Sequence, residues 1–134
     1  MVKLSEALNP KNKGGTSKER NPEKISLNYN QITEIDSYSF SVLQQKNYQN
    51  VKKLFLGHNQ LETLKGIGFF KNLTHLSVSN NKLKSIEEFA KIKNPSLLEC
   101  LAVKGNRLVE RHPDYQSLLI TFFPNLKELD SVNL

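Results

Sequence analysis

At 134 residues the chain has the length of one domain, and 37% apolar content with a mean hydropathy of −0.50 suits a thin layered core better than a thick one. No apolar run approaches the roughly 18–20 residues that a membrane-spanning helix needs, so no membrane is expected among its partners. The net charge of +6 is spread along the chain, with six Lys/Arg against three Asp/Glu in residues 1–24 and thirteen against ten in the rest, so nucleic acid is a permitted partner but not an indicated one.

Residues 1–23 read as a flexible basic leader. Asn9-Pro10, Gly14-Gly15 and Asn21-Pro22 break the segment, and its middle, about residues 9–20, is expected to be mobile. Val2, Leu4 and Leu8 have the spacing of one helical turn. A basic arm touching a partner and a plain solvated leader both fit this composition, the second being the simpler. The single cysteine, Cys100, cannot close an internal disulfide, and the N-terminus lacks a signal-peptide pattern. An intracellular, reducing compartment is therefore expected, cytoplasmic or cytoskeleton-associated with the nucleus as the alternative. In that setting the sequon Asn72-Leu73-Thr74 reads as chance.

From residue 24 onward one pattern returns four times, as ISLNYNQI (25–32), LFLGHNQL (54–61), LSVSNNKL (76–83) and LAVKGNRL (101–108). Each copy has apolar residues at its first, third and eighth places and asparagine at its sixth: Asn30, Asn59, Asn81 and Asn106. Val51, Leu73 and Leu98 stand three places before a copy, and Ile35, Leu64 and Ile86 three places after. Alternate apolar residues put two side chains on one face of a short strand. A turn must follow, and an asparagine amide suits it because it can bond backbone groups that have left a strand ladder. The spacers read as short helices or turns. Phe40, Val42 and Leu43 are placed on a helix within residues 37–50, Phe69 or Phe70 packs inward from residues 65–73, and a turn through Phe89 and Ile92 stops before Pro95.

The full pattern, L-x-x-L-x-L-x-x-N-x-L, resembles the leucine-rich-repeat family, and the separations of 29, 22 and 25 residues between asparagines lie within that family's range. The resemblance implies an α/β fold: a right-handed solenoid with a parallel sheet on its concave side, short convex helices or turns, and a buried ladder of stacked asparagines. The segment HPDYQSLLITFFPNLKELDSVNL (112–134) is similar to the C-terminal cap of intracellular members, with Tyr115, Leu119, Phe123, Pro124, Leu126, Leu129 and Asp130 on the cap pattern. The domain is thus expected over residues 24–134, with the cap at 109–134. Within the cap, a helix over 114–123 is expected to start at Asp114, and Leu126 and Leu129 to add a last strand. This cap type marks a subgroup that includes the phosphatase-1 regulatory repeat protein, the spliceosomal A-prime protein and many ciliary or centrosomal proteins. Messenger-RNA export receptors end their repeats similarly.

If the strands stack in register, equivalent positions form rows on the concave face. The row before L-x-L reads Lys24, Lys53, His75, Cys100, Glu128, and the row inside it reads Ser26, Phe55, Ser77, Ala102, Asp130. A third row reads Asn28, Gly57, Ser79, Lys104, and a fourth Tyr29, His58, Asn80, Gly105. Phe55 is one large ring among small neighbours, the form of an anchor for a partner helix or peptide. Cover by the N-terminal arm and an isolated exposed ring are the competing readings of the same residue. Lys53, Tyr29, His58, His75 and Lys104 complete the expected partner-binding set. His75 beside Cys100 superficially suggests a Cys–His nucleophile or a metal site, but no motif marks an oxyanion hole or a full ligand set, so no catalytic, cofactor-binding or metal residue is assigned. Lys82, Lys84, Lys91 and Lys93 read as a solvated face. The expected function is protein–protein binding without catalysis by a chain that is monomeric in isolation, as a scaffold at a cytoskeletal, ciliary or centrosomal structure. The alternative is the repeat domain of an RNA-processing or messenger-RNA export factor.

Overall fold

The computed structural model describes residues 2–7, 23–36 and 48–134. The expected helix through Phe40, Val42 and Leu43, the mobile stretch at 9–20 and Leu8 lie outside these residues. Six strands form one sheet in the order β2 (Lys24–Ser26), β4 (Lys53–Phe55), β5 (His75–Ser77), β6 (Cys100–Ala102), β7 (Glu128–Leu129) and β8 (Val132–Asn133). All neighbours run parallel except β7 and β8. The register aligns Lys24, Lys53, His75, Cys100 and Glu128 side by side, and likewise Ser26, Phe55, Ser77 and Ala102. One-residue alternation leaves the middle residue of each three-residue strand buried and its neighbours on the open face.

The core is a single stack. Ile25, Leu27, Leu54, Leu56, Leu61, Leu76, Val78, Leu83, Leu101, Val103 and Leu108 fill it repeat by repeat, and the flanking residues Val51, Leu73, Leu98, Ile35, Leu64 and Ile86 close it from the far side. Short 3₁₀ turns, at Tyr48–Asn50, Ile67–Phe69, Ile86–Lys91 and Pro95–Leu97, return the chain between strands. Phe70 is the ring that packs fully inward in the second spacer, with Phe69 set edge-on against it. Gly66 opens that spacer at φ 98°, where a side chain would collide with the Ile35 carbonyl oxygen. Glu88 ties the third turn to the second: Thr63 Oγ1 (2.7 Å), Leu64 N (2.8 Å) and Lys91 Nζ (2.7 Å) all donate to its carboxylate. Burial by itself would raise the Glu88 carboxyl, but these donors outweigh it and hold the group below its ordinary range.

Three buried asparagines stitch the repeats together. Asn59 Oδ1 accepts from Asn30 N and Ile32 N of the preceding turn, at 2.9 Å each, while its Nδ2 donates to Leu27 O and Leu56 O. Asn81 Oδ1 accepts from Leu61 N, and its Nδ2 donates to Leu56 O and Val78 O. Asn106 Oδ1 accepts from Leu83 N, and its Nδ2 donates to Val78 O and Val103 O. Each amide thus satisfies backbone groups of its own turn and of the turn before. Asn30, the first, is half-buried, and its side-chain Nδ2 donates within its own repeat, to Asn28 O.

Both ends are closed. At the N-terminus β1 (Val2–Lys3) pairs in parallel with β3 (Ile32–Glu34), and α1 (Leu4–Ala7) buries Leu4 and Ala7 completely. These residues lie within the stretch expected as a leader, yet they cover the first repeat as a cap does. Val2 accordingly belongs to a strand, not to the helical turn with Leu4. At the C-terminus α2 (Arg107–Arg111) and α3 (Tyr115–Phe122) follow the last full repeat. Leu119 and Phe123 are fully buried, and Phe123 meets Phe89 edge-on at 6.3 Å. Asp114 does sit at the N-cap of α3, but its side chain makes no capping bond.

Replacing Asn81 with Ala strands Leu61 N inside the stack and takes one donor from each of Leu56 O and Val78 O, which keep those of Asn59 and Asn106, and is expected to cost about 1–3 kcal/mol. Asn30→Ala, at the half-buried end of the ladder, is expected to cost about 1 kcal/mol or less. Urea denaturation midpoints of the two variants check this order. The Glu88 site has the opposite sign from a raised group: its stabilisation is present above the unfolded carboxyl value and is lost as pH falls through the lower folded one. Glu88→Gln should therefore flatten the loss of thermal stability below about pH 4.5, measured by melting across pH.

Candidate functional site

The open face of β2, β4, β5 and β6 carries side chains that the core does not use. Phe55 is half-buried at its centre, between Ser26 and Ser77 on the adjoining strands. The Lys24 ammonium stands 5.3 Å from the centre of its ring, so the cation and the aromatic face attract. Beyond Phe55, where Ser77 and Ala102 are small, the sheet floor drops into a hollow of about 230 Å³. His75, Cys100, Glu128 and Ser131 surround it. Pockets for small ligands and cofactors run to about 300–1,000 Å³, so this hollow is the size for a protruding side chain.

Of the six expected site residues, the hollow brings together Phe55 and His75. His75 Nδ1 is held 2.9 Å from Thr74 Oγ1. Lys53 is exposed in the same row, between Lys24 and His75. Lys104 is exposed two residues past Ala102, outside the hollow lining.

Tyr29 and His58 form a separate feature on the rim. Their rings stack at 4.2 Å with 11° between planes, and Tyr29 is 73% exposed. Both have left-handed backbone, φ 63° and 54°, as do Asn80 at 55° and Gly105 at 83° in the same row. Non-glycine residues seldom adopt this conformation. Here each N–H that follows the strand is bonded to the next repeat, Tyr29 N to Gly57 O, His58 N to Ser79 O and Asn80 N to Lys104 O. Asn80 Nδ2 lies 3.1 Å from His58 Nε2, and since an amide N–H can only donate, Nε2 is the acceptor.

One expected member of the face is arranged otherwise. Asp130 does not project from the concave row. At φ 51° it turns inward, where it accepts from Val103 N (2.7 Å) and Lys104 N (3.1 Å), and from the Tyr115 hydroxyl at 2.9 Å. It is a tie between the last repeat and the cap helix. Burial, together with this bond to a carboxylate, pushes the Tyr115 hydroxyl above its ordinary value. Cys100 keeps its place in the row, lining the hollow beside Glu128. Burial first, then the Glu128 and Glu99 carboxylates, raise its thiol, and its sulfur lies 3.9 Å from Glu128 Oε2. A nucleophilic cysteine needs the opposite shift. Among the described residues no cluster of His, Cys, Asp or Glu has the form of a metal site, and no helix is long and apolar enough to cross a membrane. Of Lys82, Lys84, Lys91 and Lys93, which follow β5, Lys84 and Lys91 are paired with Glu62 and Glu88.

Comparison with known proteins agrees with this architecture. The family model described as Leucine Rich repeats (2 copies) matches residues 49–91. Leucine-rich repeat-containing protein 36 of Homo sapiens is 27% identical over 85 residues, 63% of this chain and 11% of that protein. An Acidic leucine-rich nuclear phosphoprotein 32-related protein of Plasmodium falciparum is 31% identical over 117 residues, 85% of this chain and 39% of that protein. The chain therefore spans well under half the length of these curated relatives. Among solved structures, the Drosophila melanogaster SNF/U2A′ complex has a chain similar at a TM-score of 0.68 and 21% identity, covering 100% of this chain and 86% of that one. The Chaetomium Mex67:Mtr2 subunits give 0.63 and 21%, covering 84% and 82%.

Glu128→Gln should lower the barrier to forming the Cys100 thiolate, so reaction with a soluble disulfide reagent at pH 8 is expected to quicken by about threefold or more. The rate of thiol release, read by absorbance in the folded protein, checks it.

Proposed function

Because this chain is a leucine-rich-repeat protein, we propose that it is a non-catalytic binding module whose partner is a protein segment docked on the concave sheet. The observation that carries this reading is Phe55. The framework of buried leucines and asparagines gives it no structural task, and it stands half-exposed beside a hollow floored by Ser77 and Ala102. Large rings next to a side-chain-sized recess are the usual energetic centre of an interface. Lys53 and His75 flank it in the next row, and Lys104 and the Tyr29–His58 stack form the rim that sets specificity.

The place of action is a second question. Both solved neighbours are titled as assemblies of two different proteins, and one relative carries "nuclear" in its name. These support a part in a heteromeric nuclear assembly, in line with the RNA-processing or messenger-RNA export setting that the cap resemblance also allows. A scaffold at a cytoskeletal, ciliary or centrosomal structure is the competing reading, and rests on the resemblance of the cap alone.

Phe55→Ala should leave the circular dichroism spectrum unchanged and weaken capture of the partner from native cell extract by about 30-fold or more, as loss of a hot-spot ring does. Equal capture by the two proteins contradicts the site. A partner whose retention instead falls steeply with salt and with nuclease treatment would be RNA bound to lysines.

A further inference from the structure

The charges of this fold divide into two groups. On the flanks they are paired: Lys3 with Glu34, Lys52 with Glu23, Lys84 with Glu62, Lys91 with Glu88 and Lys127 with Glu99. On the concave face, Lys24, Lys53 and Glu128 have no ion pair among the described residues. Lys24 and Lys53 are direct neighbours on adjoining strands, where two like charges repel. Glu128 stands at the other end of the same row, its Oε2 3.9 Å from the Cys100 sulfur. The row thus runs from positive to negative through His75 and Cys100, with Phe55 and the hollow alongside its middle.

From this we infer that the concave sheet receives an amphipathic helix of matching polarity, acidic where it crosses Lys24 and Lys53, apolar on Phe55 and the hollow, and basic where it reaches Glu128. The inference rests on the reading of the concave face given above and adds the partner's chemistry. The strands of the sheet bond one another throughout the row, so its face offers side chains and no free backbone groups. An extended segment laid there would leave its own N–H and C=O groups unpaired, whereas a helix satisfies them internally. The row has four inter-strand steps, about 19 Å at roughly 4.8 Å each. A helix of about 13 residues covers that length at 1.5 Å per residue, which separates the partner's acidic and basic residues by about three turns. At the basic end, the stem of a lysine or arginine fits the recess over Ala102 while its head reaches the Glu128 carboxylate. Lys104 lies outside this recess and does not compete for Glu128 from within it.

The test selects binders to the full chain from a phage-displayed library of random, helix-biased peptides of about 16 residues, enough to span the row. The winning peptides are then synthesised and titrated. Binders are expected to carry Asp or Glu at one end, Lys or Arg about three turns away, and Leu, Phe or Met between. Glu128→Lys should weaken them by about tenfold or more, Glu128→Gln by less, and a peptide whose basic end is changed to Glu should recover binding to Glu128→Lys. The double change Lys24→Glu, Lys53→Glu should act in the same way at the acidic end. Circular dichroism of each variant establishes that it folds. Binders that need Phe55 but show no charge polarity, or ignore these reversals, overturn the inference and leave the concave-face reading intact. A selection that yields no binder sensitive to Phe55→Ala overturns both.

Discussion

Every repeat of this protein ends in the same electrostatic problem. The chain leaves its strand, and the backbone groups at the departure point are buried with no ladder to bond them. A carboxamide placed there has two N–H donors and an oxygen acceptor on one rigid plane. Asn59, Asn81 and Asn106 each use that plane to reach two successive turns at once. Remove the amide and the cost is that of unpaired buried polar groups, not the loss of a contact. The parallel sheet, its register and the tight packing of Leu54, Leu76 and Leu101 all follow from these ties.

The ties also create the open face proposed as the binding site. A strict register places like positions of successive repeats within reach of one another, so single substitutions along a row become a surface with a charge order. Phe55, the hollow, the lysines and Glu128 share one open face only because Leu54, Leu76, Leu101 and Leu129 sit in line beneath them. The rim is set by backbone as much as by side chains. Left-handed turns at Tyr29 and His58 bring two rings into a stack that would not exist if either residue were extended.

Most of the fold was legible because the period of the asparagines reports a period of structure. The rows written from L-x-L match the observed pairing of Lys24, Lys53, His75, Cys100 and Glu128. What escaped has a common cause, dependence on a distant partner. Val2 and Lys3 become a strand only against Ile32 and Glu34, and nothing in their own sequence says so. Asp130 continues the alternation of its strand on paper, yet Tyr115, fifteen residues earlier, draws it inward. The clue was present, since both residues lie on the cap pattern, but a pattern of types does not state which atoms meet. For the site, the prominence of Phe55 could be read from residue sizes. The hollow toward Glu128 and the separation of the Tyr29–His58 rim from it required the turns to be in place.

The central claim is that a protein segment occupies the concave sheet, and proximity tests it more directly than affinity does. A photoreactive amino acid placed at Ser77, on the open face, and in parallel at Ala90, exposed on the opposite side, reports which surface the partner touches in native cell extract. The account predicts an adduct from position 77 that disappears with Phe55→Ala, and none of that mass from position 90. An adduct formed at 90 and absent at 77 would contradict it.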